Sequence, residues 1–138
     1  MPTAREIMTP QPDCVAETET LADAARRMAE LDVGALPICG SDDRLKGMIT
    51  DRDIVVKAIA QGRAPGDVRA GELAQGKPVT IGADDDAAEI LQTMKTHQVR
   101  RLPVIDGHDL VGIVALADVA RALSDQPVGD LLDALTSP

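Results

Sequence analysis

The stretch Gly47-Met48-Ile49-Thr50-Asp51-Arg52-Asp53 returns further along the chain as Gly112-Ile113-Val114-Ala115-Leu116-Ala117-Asp118. Each copy opens on glycine, continues with two aliphatic residues and closes on an aspartate at the same offset. An aliphatic run that gives way at once to an amphipathic segment reads as a strand turning directly into a helix. Two such corners in one chain point to an internal repeat, the first feature to settle in any fold assignment.

The repeat extends upstream at a shift of 66 residues. Glu6-Ile7 falls on Glu72-Leu73, Pro12 on Pro78, Met28 on Met94 and Val33 on Val99. Leu36-Pro37-Ile38 falls on Leu102-Pro103-Val104. One residue fewer in the following loop brings the shift to 65, which aligns the two corners.

Each copy predicts the order β-α-β-β-α. In the first, a short strand around Val15 precedes a helix from Thr20 to Leu31, with Thr20 as N-cap and Leu21, Ala24, Ala25 and Met28 at helical spacing. Strands follow at Ala35 to Cys39 and Leu45 to Ile49, joined by the turn Gly40-Ser41-Asp42-Asp43. A helix over Asp51 to Gln61 carries Ile54, Val55, Ala58 and Ile59 on one side. In the second copy the strand around Thr80 leads to a helix at Asp86 to His97. Strands at Leu102 to Ile105 and Leu110 to Val114 come next, then a helix from Leu116 to Leu123. This divides the chain into a first motif at 5–61, a Gly- and Pro-rich linker at 62–71, a second motif at 72–125 and a tail at 126–138. Val128, Leu131, Leu132 and Leu135 give that tail the spacing of a short amphipathic helix or a docking segment. The fold class is α/β (α+β). One unit alone cannot cover both faces of so small a sheet, so the two are expected to pack sheet to sheet.

Composition removes several functions. The 138 residues carry a net charge of −9 and contain no Phe, Trp or Tyr. An acidic chain without aromatic platforms is unsuited to nucleic acid, and anionic membrane is disfavoured for the same reason of charge. No signal peptide and no run of about 20 apolar residues is visible, which makes the cytoplasm the expected location. Cys14 and Cys39 are either two small buried thiols, the expectation in a reducing compartment, or a disulfide if their Cα atoms lie within about 7 Å. Neither a CxxC nor a Cys/His cluster is present, and no metal site is expected. No nucleophile-base-orienter set and no glycine-rich phosphate loop can be found, so no catalytic residue is expected and the chain is not read as an enzyme.

The two corners, with His97-Gln98-Val99-Arg100-Arg101-Leu102-Pro103-Val104, resemble the CBS signature over nearly all of residues 5 to 125. The resemblance implies a Bateman module, two CBS motifs about a pseudo-twofold axis, and a homodimer shaped as a flat disk. It implies a ligand drawn from AMP, ADP, ATP or S-adenosylmethionine, bound in clefts between motifs. No cofactor is required. The candidate ligand-binding set is Thr50, Asp53, Arg100, Arg101 and Asp118, joined by Ile38 and Thr80.

The residues support this chemistry and also a plainer one. Thr50 stands where a strand meets a helix, where free N–H groups suit phosphate, and Asp53 can accept from ribose hydroxyls. The same Thr-x-x-Asp spacing is a helix capping box. Ala115 replaces Thr50 in the second copy, which removes the hydroxyl and puts a second site in doubt, while Asp118 remains. Arg100 and Arg101 replace Gly34 and Ala35, so the cleft is asymmetric in charge. They can hold phosphate or pair with acids. His97 and His108 read as surface or structural residues, and Asp84-Asp85-Asp86 as cap and solvated charge. The reading is a regulatory, non-catalytic adenine-nucleotide sensor that works by population shift. The rival is a ligand-free module for an unidentified protein partner, stress-related through a Cys14–Cys39 redox link.

Overall fold

The branched aliphatics of the repeat form strands because their stiff side chains suit a pleated surface with one face covered. The computed structural model describes residues 1–74 and 78–123. In chain order the elements are α1 (Ala4–Ile7), β1 (Thr9–Pro10), β2 (Val15–Ala16), α2 (Leu21–Leu31), β3 (Ala35–Cys39), β4 (Leu45–Thr50) and α3 (Asp51–Asp53). The helix begun by α3 continues as a π segment, Ile54–Ala58, and a 3-10 segment, Ile59–Gln61. Two further 3-10 turns, Pro65–Asp67 and Ala70–Leu73, lead to β5 (Ile81–Gly82), α4 (Ala87–His97), β6 (Arg101–Asp106), β7 (Asp109–Ala115) and α5 (Leu116–Ala122). Among the described residues no helix is long and apolar enough to cross a membrane.

The chain divides into two compact units, residues 13–78 and residues 1–12 with 79–138. The first has a three-stranded sheet in the order β2-β3-β4, with β2 parallel and β4 antiparallel to β3. The second has the order β1-β7-β6-β5, in which β5, β6 and β7 reproduce that arrangement. Even the register irregularity recurs at repeat-equivalent places, Ile38/Cys39 and Val104/Ile105. The β-α-β-β-α order expected of each copy is therefore present twice.

The leading segment of each repeat is exchanged. Ala4 N–H donates to the Asp85 carbonyl at 2.8 Å and Arg5 N–H to that of Ala83 at 2.9 Å. Their repeat equivalents, Ala70 and Gly71, donate to Glu19 and Glu17 at 2.8 and 2.9 Å. Thr3 bridges Asp86, and Arg69 bridges Thr20. The leading segment of the first repeat thus packs on the body of the second, and that of the second on the body of the first. Arg5 fastens one exchange further through Asp106 at 3.0 Å and Asp84 at 3.5 Å.

The end of the 62–71 segment takes part in this exchange. Val68 and Ala70 have no exposed surface and belong to the same apolar cluster as Leu21, Ile38 and Ile49. Glycine and proline mark here a chain bent into tight turns against a core, where burial of a side chain such as Val68 contributes about 1.5–3 kcal/mol. Exchange also explains the two signature glycines. A Cβ on Gly47 would lie 3.2 Å from the Cα of Ala74, and a Cβ on Gly112 would overlap the Met8 thioether and come within 2.9 Å of the Thr9 carbonyl oxygen.

Three local expectations change. The strand of the second copy lies at Ile81–Gly82, just past Thr80. Ala25 is exposed, so α2 buries only Leu21, Ala24 and Met28. The helix after Asp51 is not uniform: the π segment turns Ile54 and Ala58 inward and leaves Val55 and Ile59 each 54% exposed. The expected tail helix at 126–138 lies outside the described residues.

Candidate functional site

The geometry centres on the two strand-to-helix corners. At the first, β4 ends on Thr50 with extended backbone and the chain turns at once into helix. Thr50 Oγ1 accepts from Asp53 N–H at 3.0 Å, and Asp53 Oδ2 accepts from Thr50 N–H at 3.0 Å. This is a complete capping box, which satisfies two amides that the helix start would otherwise leave open. The other oxygen, Asp53 Oδ1, faces Lys57 Nζ at 3.3 Å.

At the second corner Asp118 Oδ2 accepts from Ala115 N–H at 2.8 Å, and Asp118 Oδ1 pairs with Arg121. The methyl group of Ala115 has nothing with which to accept from Asp118 N–H, so half of the box is gone. The Asp118 side chain is 13% exposed and that of Asp53 is 23% exposed. Each carboxylate is therefore mostly buried, with one oxygen in the cap and the other beside a cation.

The flanking residues differ in charge. Asp51 N–H donates to the Gly34 carbonyl at 3.0 Å, and the Asp51 carboxylate lies over Gly34, where an added Cβ would be 3.2 Å from Oδ2. The equivalent backbone bond runs from Leu116 to Arg100 at 2.8 Å. Arg100 and Arg101 are exposed and make no ion pair among the described residues. Thr80 is half-buried just before β5. Ile38 has no exposed surface and packs inside the core of its unit.

Cys14 and Cys39 are joined, with Cα atoms 5.8 Å apart. Parallel pairing of β2 with β3 brings them together, since Val15 and Ala16 stand opposite Ile38 and Cys39. Beside them lies a group with no periodic signature in the sequence. Arg27 Nη1 donates to the Cys14 carbonyl at 2.6 Å, and both Arg27 nitrogens donate to Glu19, at 3.2 and 3.0 Å. Glu19 Oε1 also accepts from Ala16 N–H at 2.9 Å. The hydrogen bond from Arg27, then that from the Ala16 amide, holds the Glu19 carboxyl below its ordinary value. The bond to Glu19 raises Arg27 in turn. Glutamate and arginine eight residues apart across a helix start share no helical face, so spacing could not have found them.

The three acids before α4 serve the local backbone and an ion pair. Asp86 caps α4 by accepting from Glu89 N–H at 2.9 Å, Asp85 accepts from Gly82 N–H at 2.8 Å and Asp84 pairs with Arg5. His97 closes α4 and His108 sits in the β6–β7 turn. Among the described residues no three His, Cys, Asp or Glu side chains gather as a metal site.

Comparison with known proteins agrees with this architecture. Hypoxic response protein 1 of Mycobacterium tuberculosis is 51% identical over 138 residues, covering 100% of this chain and 96% of that protein. A crystal structure of Hypoxic Response Protein I with two coordinated zinc ions is 54% identical, with a TM-score of 0.84 over 89% of this chain and 100% of that one. The structure of CBSX2 in complex with AMP is 25% identical, with a TM-score of 0.75 over 87% and 94% of the two chains. The family model of the CBS domain matches residues 4–59 and again residues 70–125, and the chain belongs to the CBS domain family, with two copies in tandem.

Proposed function

We propose that this CBS pair is a non-catalytic regulatory module that binds an adenine-containing ligand, AMP, ADP, ATP or S-adenosylmethionine, at its strand-to-helix corners. The observation that carries the reading is the state of the two aspartates. Asp53 and Asp118 each commit one oxygen to a cap and set the other beside a cation one turn on, Lys57 or Arg121. A fixed carboxylate suits a ribose diol, because no rotamer freedom is lost on binding. Thr50 adds a hydroxyl at the first corner, and Arg100 and Arg101 add cations at the second. Ligand binding shifts the population of conformations or of a homodimer, in the cytoplasm, and a protein partner reads the change. The AMP-bound CBSX2 structure supports the ligand class.

A second reading is a ligand-free interaction module. It is favoured by one observation: the Thr50 hydroxyl and an Asp53 oxygen are already spent on the helix cap. Calorimetric melts with AMP, ADP, ATP and S-adenosylmethionine decide between the two. A ligand at about 100 times its dissociation constant adds about 2.7 kcal/mol of stability. A rise with one of them, lost in Asp53→Ala, supports the sensor; no rise with any supports the interaction module.

A further inference from the structure

The repeat-equivalent corners carry opposite charges at one backbone contact, and this difference bears on the proposed adenine site. We infer that Asp51 sets the ligand class of the first corner, excluding a phosphate there and leaving the corner to adenosine with a neutral or cationic 5′ substituent. The inference rests on the adenine-binding reading above.

Asp51 stands at the start of the helix, one residue after Thr50. Its N–H is bound to the Gly34 carbonyl at 3.0 Å, its Oδ1 accepts from Arg52 N–H at 2.8 Å, and its carboxylate covers Gly34. A side chain at position 34 and the carboxylate at 51 compete for one space, since a Cβ there would sit 3.2 Å from Oδ2. The second repeat takes the other solution, with Arg100 in place of Gly34 and Leu116 in place of Asp51. One pair of positions thus carries a fixed negative charge in the first repeat and a positive charge in the second.

The neighbours do not cancel the contrast. Arg52 is exposed and adds one positive charge at the first corner, which brings residues 34, 35, 51 and 52 to zero. Their equivalents, Arg100, Arg101, Leu116 and Ala117, sum to +2. Both side chains are exposed, but the Asp51 carboxylate accepts from the Arg52 N–H at 2.8 Å, whereas the Arg52 side chain makes no ion pair among the described residues. A phosphate at the first corner shares it with the like charge of Asp51. A thioether or sulfonium substituent meets no such penalty, and a cation is attracted.

The test is an NMR titration read at the Gly34 and Arg52 amides, which report on the first corner alone, with adenosine, AMP and S-adenosylmethionine as probes. Asp51→Asn keeps an oxygen to accept from Arg52 N–H and removes the charge. Asp43→Asn, in the β3–β4 turn at the opposite end of β4, removes an equal charge elsewhere. The expected result is adenosine and S-adenosylmethionine favoured over AMP in the wild type. In Asp51→Asn the ratio of AMP to adenosine affinity rises about three- to tenfold at low salt, the size of one unit-charge interaction across a few ångströms of wet protein. The rise shrinks with added salt and does not appear in Asp43→Asn. Equal binding of AMP and adenosine, with the ratio unmoved by Asp51→Asn, overturns the inference and leaves the adenine site standing. No response to any probe, in the wild type or in Asp51→Asn, removes the adenine site and this inference with it.

Discussion

Gly112 and Met8 lie so close that a single methyl group on the glycine would occupy the space of the methionine sulfur. The contact joins β7 to the leading segment that carries β1, whose two residues pair with Ile113 and Gly112. Gly112→Ala must therefore displace either Met8 or the Thr9 carbonyl. The expected cost is about 1–3 kcal/mol, the range for overpacking a filled site. Gly47→Ala, which meets Ala74 at 3.2 Å, is expected to cost less. Thermal melts of the two variants give the order, and equal costs would contradict it.

The half-empty cap at Ala115 offers a gain of stability. Asp118 N–H lacks the side-chain acceptor that Thr50 supplies to Asp53. Ala115→Thr restores it in a backbone already extended as an N-cap requires, at φ −107° and ψ 160°. The expected effect is a stabilisation of about 0.5–1 kcal/mol, read as a higher melting temperature. A fall would show that the second corner has no room for the hydroxyl.

The Cys14–Cys39 bond closes a loop with a sequence separation of 25. Loop-closure entropy for that length corresponds to about 3.5 kcal/mol. Cys14→Ser with Cys39→Ser, or reduction by a dithiol, is expected to lower stability by roughly that amount. β2 should loosen first, because Cys14 directly precedes it and the bond ties that end to β3. Hydrogen exchange at Val15 and Ala16, compared with and without reductant, checks the locality of the effect.

Acid should weaken the unit that holds Glu19. The folded-state value of this carboxyl is depressed, first by the hydrogen bond from Arg27. Its contribution is then fully present above the unfolded glutamate value of about 4.3 and is lost as pH falls through the folded value. Glu19→Gln removes that pH dependence. Melting temperatures between about pH 7 and pH 3 should therefore converge for the two proteins at the acid end. Parallel curves would mean that Glu19 does not carry the linkage.

The sequence announced the corners, the sheets and the capping boxes because each rests on a local signal: an aliphatic run, a turn, a polar residue at fixed offset. Thr20 caps α2 and Asp86 caps α4 as their spacing predicted. What escaped was long-range. The two-residue strands β1, β2 and β5 are too short to show a period, so exchange of the leading segments left no pattern to read. Val68 and Ala70 looked like linker residues because their glycine and proline neighbours hide a buried stretch. The register of the helix after Asp51 depends on an inserted π turn, which moves Val55 and Ile59 outward in a way that no 3.6-residue count anticipates. Whether Cys14 and Cys39 join depended on the parallel pairing of β2 with β3, and pairing of strands is not written in either one alone.

The exchange of leading segments dictates how this protein can be dissected. A cut between the repeats, near residue 62, would separate Ala70 from Glu19 and Ala4 from Asp85, and would leave each piece with an uncovered core and the wrong lid. Cuts after Pro12 and after Pro78 keep Ala70 and Glu19 on one piece, residues 13–78, whose sheet, disulfide and covering turn all come from one stretch of chain. The transplantable half is therefore offset from the repeat by the length of one leading segment, and a graft cut at the repeat boundary would carry the signature without the piece that closes it.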